Sequence, residues 1–173
     1  INYIPSYTAI GHTTVFTGSV PAIHGIAGNN WIDQASGKNV YCTDDSTVQG
    51  VGSTSSAGKM SPRNLLATTV TDELRLATNF QSKVIGVSLK DRASILPAGH
   101  HPTGAFWFDD ATGNFISSTW YMSELPKWAS DFNARNEPGK LTAVPWTTLY
   151  PLNTYKQSTA DDVKWEGKFK GET

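Results

Sequence analysis

The run Lys83-Val84-Ile85-Gly86-Val87-Ser88-Leu89 limits the possible folds more than any other stretch. It is β-branched and mostly apolar, the character of a buried strand. Upstream, Ser61-Pro62 offers a serine N-cap with proline in the first turn, and Leu66, Val70, Leu74 and Ala77 recur at helical spacing. That spacing predicts a helix with one face packed inward, and a helix leading into a strand over Ser61 to Leu89 is half of a βαβ unit. The sheet is then parallel or mixed. Ala105-Phe106-Trp107-Phe108 and Asn114-Phe115-Ile116-Ser117-Ser118-Thr119 read as two strands, joined by Asp109-Asp110-Ala111-Thr112-Gly113, whose composition favours a turn. Pro126 to Asn136 reads as a short helix, whereas Pro138 to Thr173 has no sustained period. The expectation is an α/β chain, with a mixed, mostly parallel sheet flanked by helices and with loop and hairpin insertions.

At 173 residues the chain is long enough for one compact domain with a sizeable core. A formal net charge of −1 gives no broad basic surface, which argues against nucleic-acid binding by phosphate neutralisation. Basic residues that matter must act locally. Cys42 is the sole cysteine, so neither an internal disulfide nor a cysteine-based zinc site can form. No run of about twenty apolar residues offers a membrane span. Six tryptophans, six tyrosines and seven phenylalanines in a charge-poor chain favour an extracytoplasmic protein with an aromatic cleft or surface, or an ordinary aromatic core.

Thr8 to Thr17 has a helix-compatible pattern, follows the extended stretch Ile4-Pro5-Ser6-Tyr7, and is closed by Gly18 and Pro21. Thr8 therefore stands at or near a helix N-terminus, where free N–H groups and the positive end of the helix dipole can receive an anion such as phosphate. The same residue could simply cap the helix. From Gly25 to Gly58 the chain is Gly, Ser, Thr, Asn and Asp-rich, with short apolar pieces such as Val40-Tyr41-Cys42, and reads as loops with a hairpin around a site. Lys90 and Arg92 follow the Lys83 to Leu89 strand; on extended backbone they share a side and can converge on one anion, with Asp91 facing away toward solvent or another loop.

Several ordered motifs together carry a resemblance. Thr8-Ala9-Ile10-Gly11-His12-Thr13-Thr14-Val15-Phe16-Thr17-Gly18, Pro21-Ala22-Ile23-His24-Gly25-Ile26, Gly28-Asn29-Asn30-Trp31, Gly86-Val87-Ser88-Leu89-Lys90-Asp91-Arg92, Pro97-Ala98-Gly99-His100 and Phe115-Ile116-Ser117-Ser118-Thr119 occur in this order. The chain resembles the alkaline phosphatase superfamily, nearest to bacterial zinc-dependent phosphomonoesterases related to nucleotide pyrophosphatases/phosphodiesterases, from residue 1 to about 136. The resemblance implies that Thr8 is the nucleophile and a metal contact, becoming phosphorylated beside two zinc ions. It implies that Asn29 donates its amide to a phosphoryl oxygen, with the adjacent Asn30 as the alternative donor, and that Lys90 and Arg92 grip the remaining oxygens of a phosphate monoester.

The same resemblance makes residues 1–173 a partial catalytic domain, with a nucleophile helix over 8–17 and a phosphate-binding insertion over about 25–136. It further implies that the strand before the nucleophile and the downstream metal-ligand clusters are missing, so that the isolated chain binds zinc poorly and has little activity. His12, His24, His100 and His101 are expected in packing or supporting roles, not as ligands. Export to the periplasm or outside the cell is implied as well. Two other functions compete: a nucleotide or lipid phosphodiesterase of the same superfamily, and a non-enzymatic carbohydrate-binding module using Trp107, Trp120, Trp128, Trp146 and Trp165 as stacking platforms.

Overall fold

Glycine at position 86 lets a helix lie directly on a strand. In the computed structural model, which describes residues 3, 4, 6–159 and 163–165, strand β4 (Ile85–Ser88) leads into helix α4 (Asp91–Ala98) and then into the parallel strand β5 (Gly104–Asp109). A Cβ on Gly86 would lie 2.5 Å from the Ser94 carbonyl oxygen and 3.0 Å from Ala98 Cβ, so a larger residue would push α4 off the sheet. Ser94 fixes the crossover further, its Oγ accepting from the Phe106 N–H at 3.1 Å.

The expected hairpin forms: β5 pairs antiparallel with β6 (Asn114–Ser118), and β6 with the short β3 (Gly50–Val51). The sheet order is β3-β6-β5-β4. It is mixed, as expected, but among the described residues its only parallel pairing is β4 with β5. A separate two-stranded ribbon joins β1 (Asn30–Ile32) to β2 (Asn39–Tyr41), the hairpin of the Asn-rich segment. Helix α1 spans Thr8–Thr17 and packs on α4; the short α2 (Pro21–His24) follows it. Helix α5 (Lys127–Ala134) fulfils the helix expected within Pro126 to Asn136, and α6 covers Glu137–Thr142.

Helix α4 serves two cores from opposite sides. Leu96 packs with Ala9, Ile26, Cys42 and Leu65 under α1, while Ile95 and Ala98 pack with Ala105, Trp107 and Ile116 on the sheet. Burying such side chains stabilises the fold by roughly 1.5–3 kcal/mol each. Trp107 also donates its indole N–H to the Ala57 carbonyl at 2.8 Å.

Two sequence expectations are corrected. The helix expected from Ser61 is α3, and it begins only at Val70, running to Ala77. Ser61 Oγ accepts the Arg63 N–H at 3.1 Å and donates to Asp45 Oδ2 at 2.6 Å, but only a turn follows it, and the helix starts where Thr69 and Asp72 form a reciprocal capping box. Leu66, Val70 and Leu74, expected to face inward, are exposed, and the buried residue of α3 is Asp72. Strand β4 is also less buried than its composition predicts: α4 covers the face of Gly86, and Ile85 and Val87, which alternate to the other face, are exposed.

Candidate active site

Thr8 is the first residue of α1, behind an extended Tyr7 at the N-cap position, and it is exposed. Its side chain does not cap the helix, so the simple capping role does not describe it. Asn29 closes the helix end instead: its Oδ1 accepts the Ala9 N–H at 3.0 Å. This bond fixes the orientation of the carboxamide and leaves Nδ2 as a donor at the same helix end that presents Thr8. Asn30 is the first residue of β1, exposed, with its Oδ1 accepting from Asn39 Nδ2 at 3.4 Å. Of the two neighbouring asparagines, Asn29 is the one beside Thr8. Among the described residues no imidazole or carboxylate hydrogen-bonds the Thr8 hydroxyl.

The placement of Lys90 and Arg92 departs from the sequence reading. The strand ends at Ser88, Lys90 is the N-cap of α4, and Arg92 lies in its first turn, so extended alternation does not set their directions. Lys90 Nζ faces Asp110 Oδ2 at 3.6 Å, both side chains largely exposed, beside a cavity of about 320 Å³ lined by Ser56, Leu89 and Phe108. Arg92 turns to the ribbon, donating from Nη1 to the Tyr41 hydroxyl at 2.7 Å. Asp91 turns to another segment: Tyr41 donates to its Oδ1 at 2.9 Å, and Thr43 donates to its Oδ2.

Tyr41 and Thr43 are therefore part of the site, and no sequence period points to them. Tyr41 pairs with Asn30 across the ribbon, and the Cys42 N–H donates to the Asn29 carbonyl at 3.0 Å. The ribbon thus ties Asn29 and Arg92 to one rigid piece. Burial first, and then the charge of Asp91, push the Tyr41 phenol up to about 12, so it stays neutral through mildly alkaline pH.

Two of the four histidines are held by hydrogen bonds through both ring nitrogens. Nδ1 of buried His24 accepts from the Ile26 N–H at 3.2 Å, which leaves Nε2–H to donate to Thr14 Oγ1 at 3.2 Å, and burial lowers its pKa. His100 sits between two acceptors, Asp72 Oδ2 at 3.3 Å and the Leu65 carbonyl at 2.9 Å. Both bonds are made together only when each ring nitrogen carries a proton, and the bond to Asp72 raises the pKa above the usual histidine value. Among the described residues no group of three or more His, Cys, Asp or Glu could hold a metal ion. Of the tryptophans proposed as sugar platforms, Trp107 is buried in the sheet core, while Trp120, Trp128, Trp146 and Trp165 are exposed. No helix among the described residues is long and apolar enough to cross a membrane.

A model of the family described as type I phosphodiesterase / nucleotide pyrophosphatase matches residues 1–172. Alkaline phosphatase PafA of Elizabethkingia meningoseptica is 68% identical over 168 residues, covering 96% of this chain and 31% of PafA. A crystal structure of wild-type PafA superposes with a TM-score of 0.93 at 65% identity, covering 99% of this chain and 33% of that one. A PafA variant, with serine in place of one threonine and alanine in place of an asparagine, a lysine and an arginine, superposes with a TM-score of 0.91 at 65% identity. It covers 97% of this chain and 33% of that one. The chain thus spans about a third of the length of these relatives.

Proposed function

The chain belongs to the type I phosphodiesterase / nucleotide pyrophosphatase family, and from that membership we propose that it supplies the nucleophile and the phosphate grip of an alkaline phosphatase acting on phosphate monoesters. In this reading Thr8 Oγ1 gives up its proton to solvent and forms a bond to phosphorus while the bond to the leaving oxygen breaks, that oxygen taking a proton from water. Water then displaces the threonine oxygen, releasing phosphate. Asn29 Nδ2, Lys90 and Arg92 bind the oxygens that keep their charge throughout, as a fixed set of donors can without reorganisation.

The observation that carries the proposal is the Asn29 to Ala9 hydrogen bond, which aims a carboxamide donor at the helix end presenting Thr8. Support comes from the PafA variant, whose substituted threonine, asparagine, lysine and arginine stand in the same order as Thr8, Asn29, Lys90 and Arg92. In both chains one residue separates the lysine from the arginine. Lys90 is free to serve, because an exposed pair such as Lys90 with Asp110 is worth at most about 1 kcal/mol. The family likeness implies two zinc ions in the intact enzyme. The described residues do not fit a zinc site by themselves, since no ligand cluster forms among them and Thr8 alone would touch a metal. A periplasmic or secreted location goes with the same reading.

The test is turnover of a monoester against a diester by a protein of the relatives' full length that carries this segment. The monoester should be preferred, Thr8→Ala should abolish its turnover, and Arg92→Ala should lower monoester kcat/KM at least about tenfold, the worth of a hydrogen bond between charged groups. A preference for the diester would transfer the assignment to a nucleotide or lipid phosphodiesterase.

A further inference from the structure

Arg92 is held at one corner. Nη1 donates to Tyr41 at 2.7 Å, and the buried Nε has no hydrogen-bond partner among the described residues. Tyr41 is in turn held from three directions. Its hydroxyl donates to Asp91, its carbonyl accepts from Asn64 Nδ2 at 3.4 Å, and its ring packs against the core of Ala9, Ile26, Cys42, Leu65 and Leu96. The buried Thr43 hydroxyl occupies the other oxygen of Asp91, so the carboxylate has a partner on each side.

We infer that Tyr41 is a positioning residue, its hydroxyl orienting the Arg92 guanidinium toward the phosphoryl group while Asp91 and Thr43 hold the phenol in place. The inference rests on the proposed phosphate contact of Arg92. The chemistry favours a phenol over a carboxylate at this point. A carboxylate bonded directly to Arg92 would offset the charge offered to the substrate, whereas a neutral hydroxyl accepts one N–H and leaves that charge nearly whole. The negative charge of Asp91 is kept one group further away. Because the Cys42 N–H binds the Asn29 carbonyl, the same ribbon sets the spacing between Arg92 and the Asn29 amide.

A double-mutant cycle tests this in a protein of the relatives' full length carrying this segment, with inorganic phosphate as the probe and monoester KM and kcat read separately. Tyr41→Phe should weaken phosphate inhibition and raise KM about tenfold, within the range expected for one hydrogen bond to a charged group. In an Arg92→Ala background the same substitution should add nothing. Thr43→Val, which loosens Asp91 without touching Tyr41, should give a smaller loss that also vanishes without Arg92, and it serves if Tyr41→Phe does not fold. If Arg92→Ala weakens phosphate binding but the Tyr41 and Thr43 losses persist undiminished beside it, or never occur, Tyr41 does not position Arg92. An Arg92→Ala enzyme with unchanged phosphate affinity removes both the contact and the inference built on it.

Discussion

Replacing Asp72 by asparagine should destabilise the protein by about 3–5 kcal/mol, the cost of breaking a buried charge pair by removing one partner. The Asp72 carboxylate is 2% exposed and receives five hydrogen bonds: from Thr69 N at 3.0 Å, Thr69 Oγ1 at 3.0 Å, His100 N at 2.9 Å, His101 N at 3.0 Å and His100 Nδ1 at 3.3 Å. An asparagine with Oδ1 kept toward His100 N and His101 N turns an NH2 group against the Thr69 N–H and the His100 ring. Two donors then face a donor, and each unsatisfied buried group costs about 1–3 kcal/mol, which brackets the same figure. Against a total stability of about 5–15 kcal/mol this is a large fraction. Urea unfolding followed by tryptophan fluorescence should show a lower midpoint with an unchanged slope.

The pH dependence gives a second reading of the same pair. Burial opposes ionisation of Asp72, but the hydrogen bonds from His100, Thr69 and His101 outweigh it and hold the carboxyl well below the usual carboxylate range. Its contribution is therefore present above the unfolded value of about 4 and lost as pH falls through the depressed folded value. His100 is raised, so its contribution is full below about 6.5 and lost as pH rises through the folded value. The pair stabilises most between roughly pH 4 and pH 6.5, and Asp72→Asn should flatten the stability profile on both sides of that window. A loss below about 1 kcal/mol at pH 5.5, or an unaltered profile, would refute the reasoning.

Gly99→Ala should lower the melting temperature by several degrees, a loss of about 2 kcal/mol or more. Gly99 has φ 81°, and a Cβ there would strike Asp72 Oδ2 and Thr69 Oγ1, so a wild-type thermal melt would contradict this. Burial first, and then the charge of Asp91, push the Cys42 thiol up to about 12. Iodoacetamide at mildly alkaline pH should therefore leave the folded protein unlabelled and modify it after denaturation, with labelling of the folded protein by mass spectrometry as the contrary result. Calorimetric titration of this 173-residue chain with zinc should reveal no pair of tight sites, since no ligand cluster forms among the described residues, and two tight sites would overturn that expectation.

Elements whose signals are local were legible in the sequence, and elements decided by distant partners were not. Helix α1 follows from its own pattern and from Gly18, which closes it in the left-handed conformation at φ 64°. The β5–β6 hairpin follows from two strand-like runs around an Asp- and Gly-rich turn. Ser61-Pro62 has an equally good local signal for a helix start. The local bond forms, with Ser61 Oγ accepting the Arg63 N–H at 3.1 Å, but the chain makes only a turn there, and the helix waits for the capping box of Thr69 and Asp72. The exposure of Ile85 and Val87 likewise depends on which face of β4 the helix α4 covers, which composition does not encode.

In the candidate site, the helix start at Thr8 was legible in the sequence, but the setting of Arg92 was not, because its partner Tyr41 lies fifty-one residues upstream in a loop-like segment. The difference between strand and helix at this point changes the electrostatics. On a strand, Lys90-Asp91-Arg92 is a neutral matter of alternating sides. At the start of α4 the two cations meet the positive end of the helix dipole, an arrangement unfavourable by about 0.3–1 kcal/mol for each, while Asp91 is favoured there. Asp91 is committed to Tyr41 and Thr43, so its charge compensates the helix end without covering the Arg92 guanidinium. In the proposed site, an anion at Arg92 would meet a cation beside a helix N-terminus and add to the compensation that Asp91 begins.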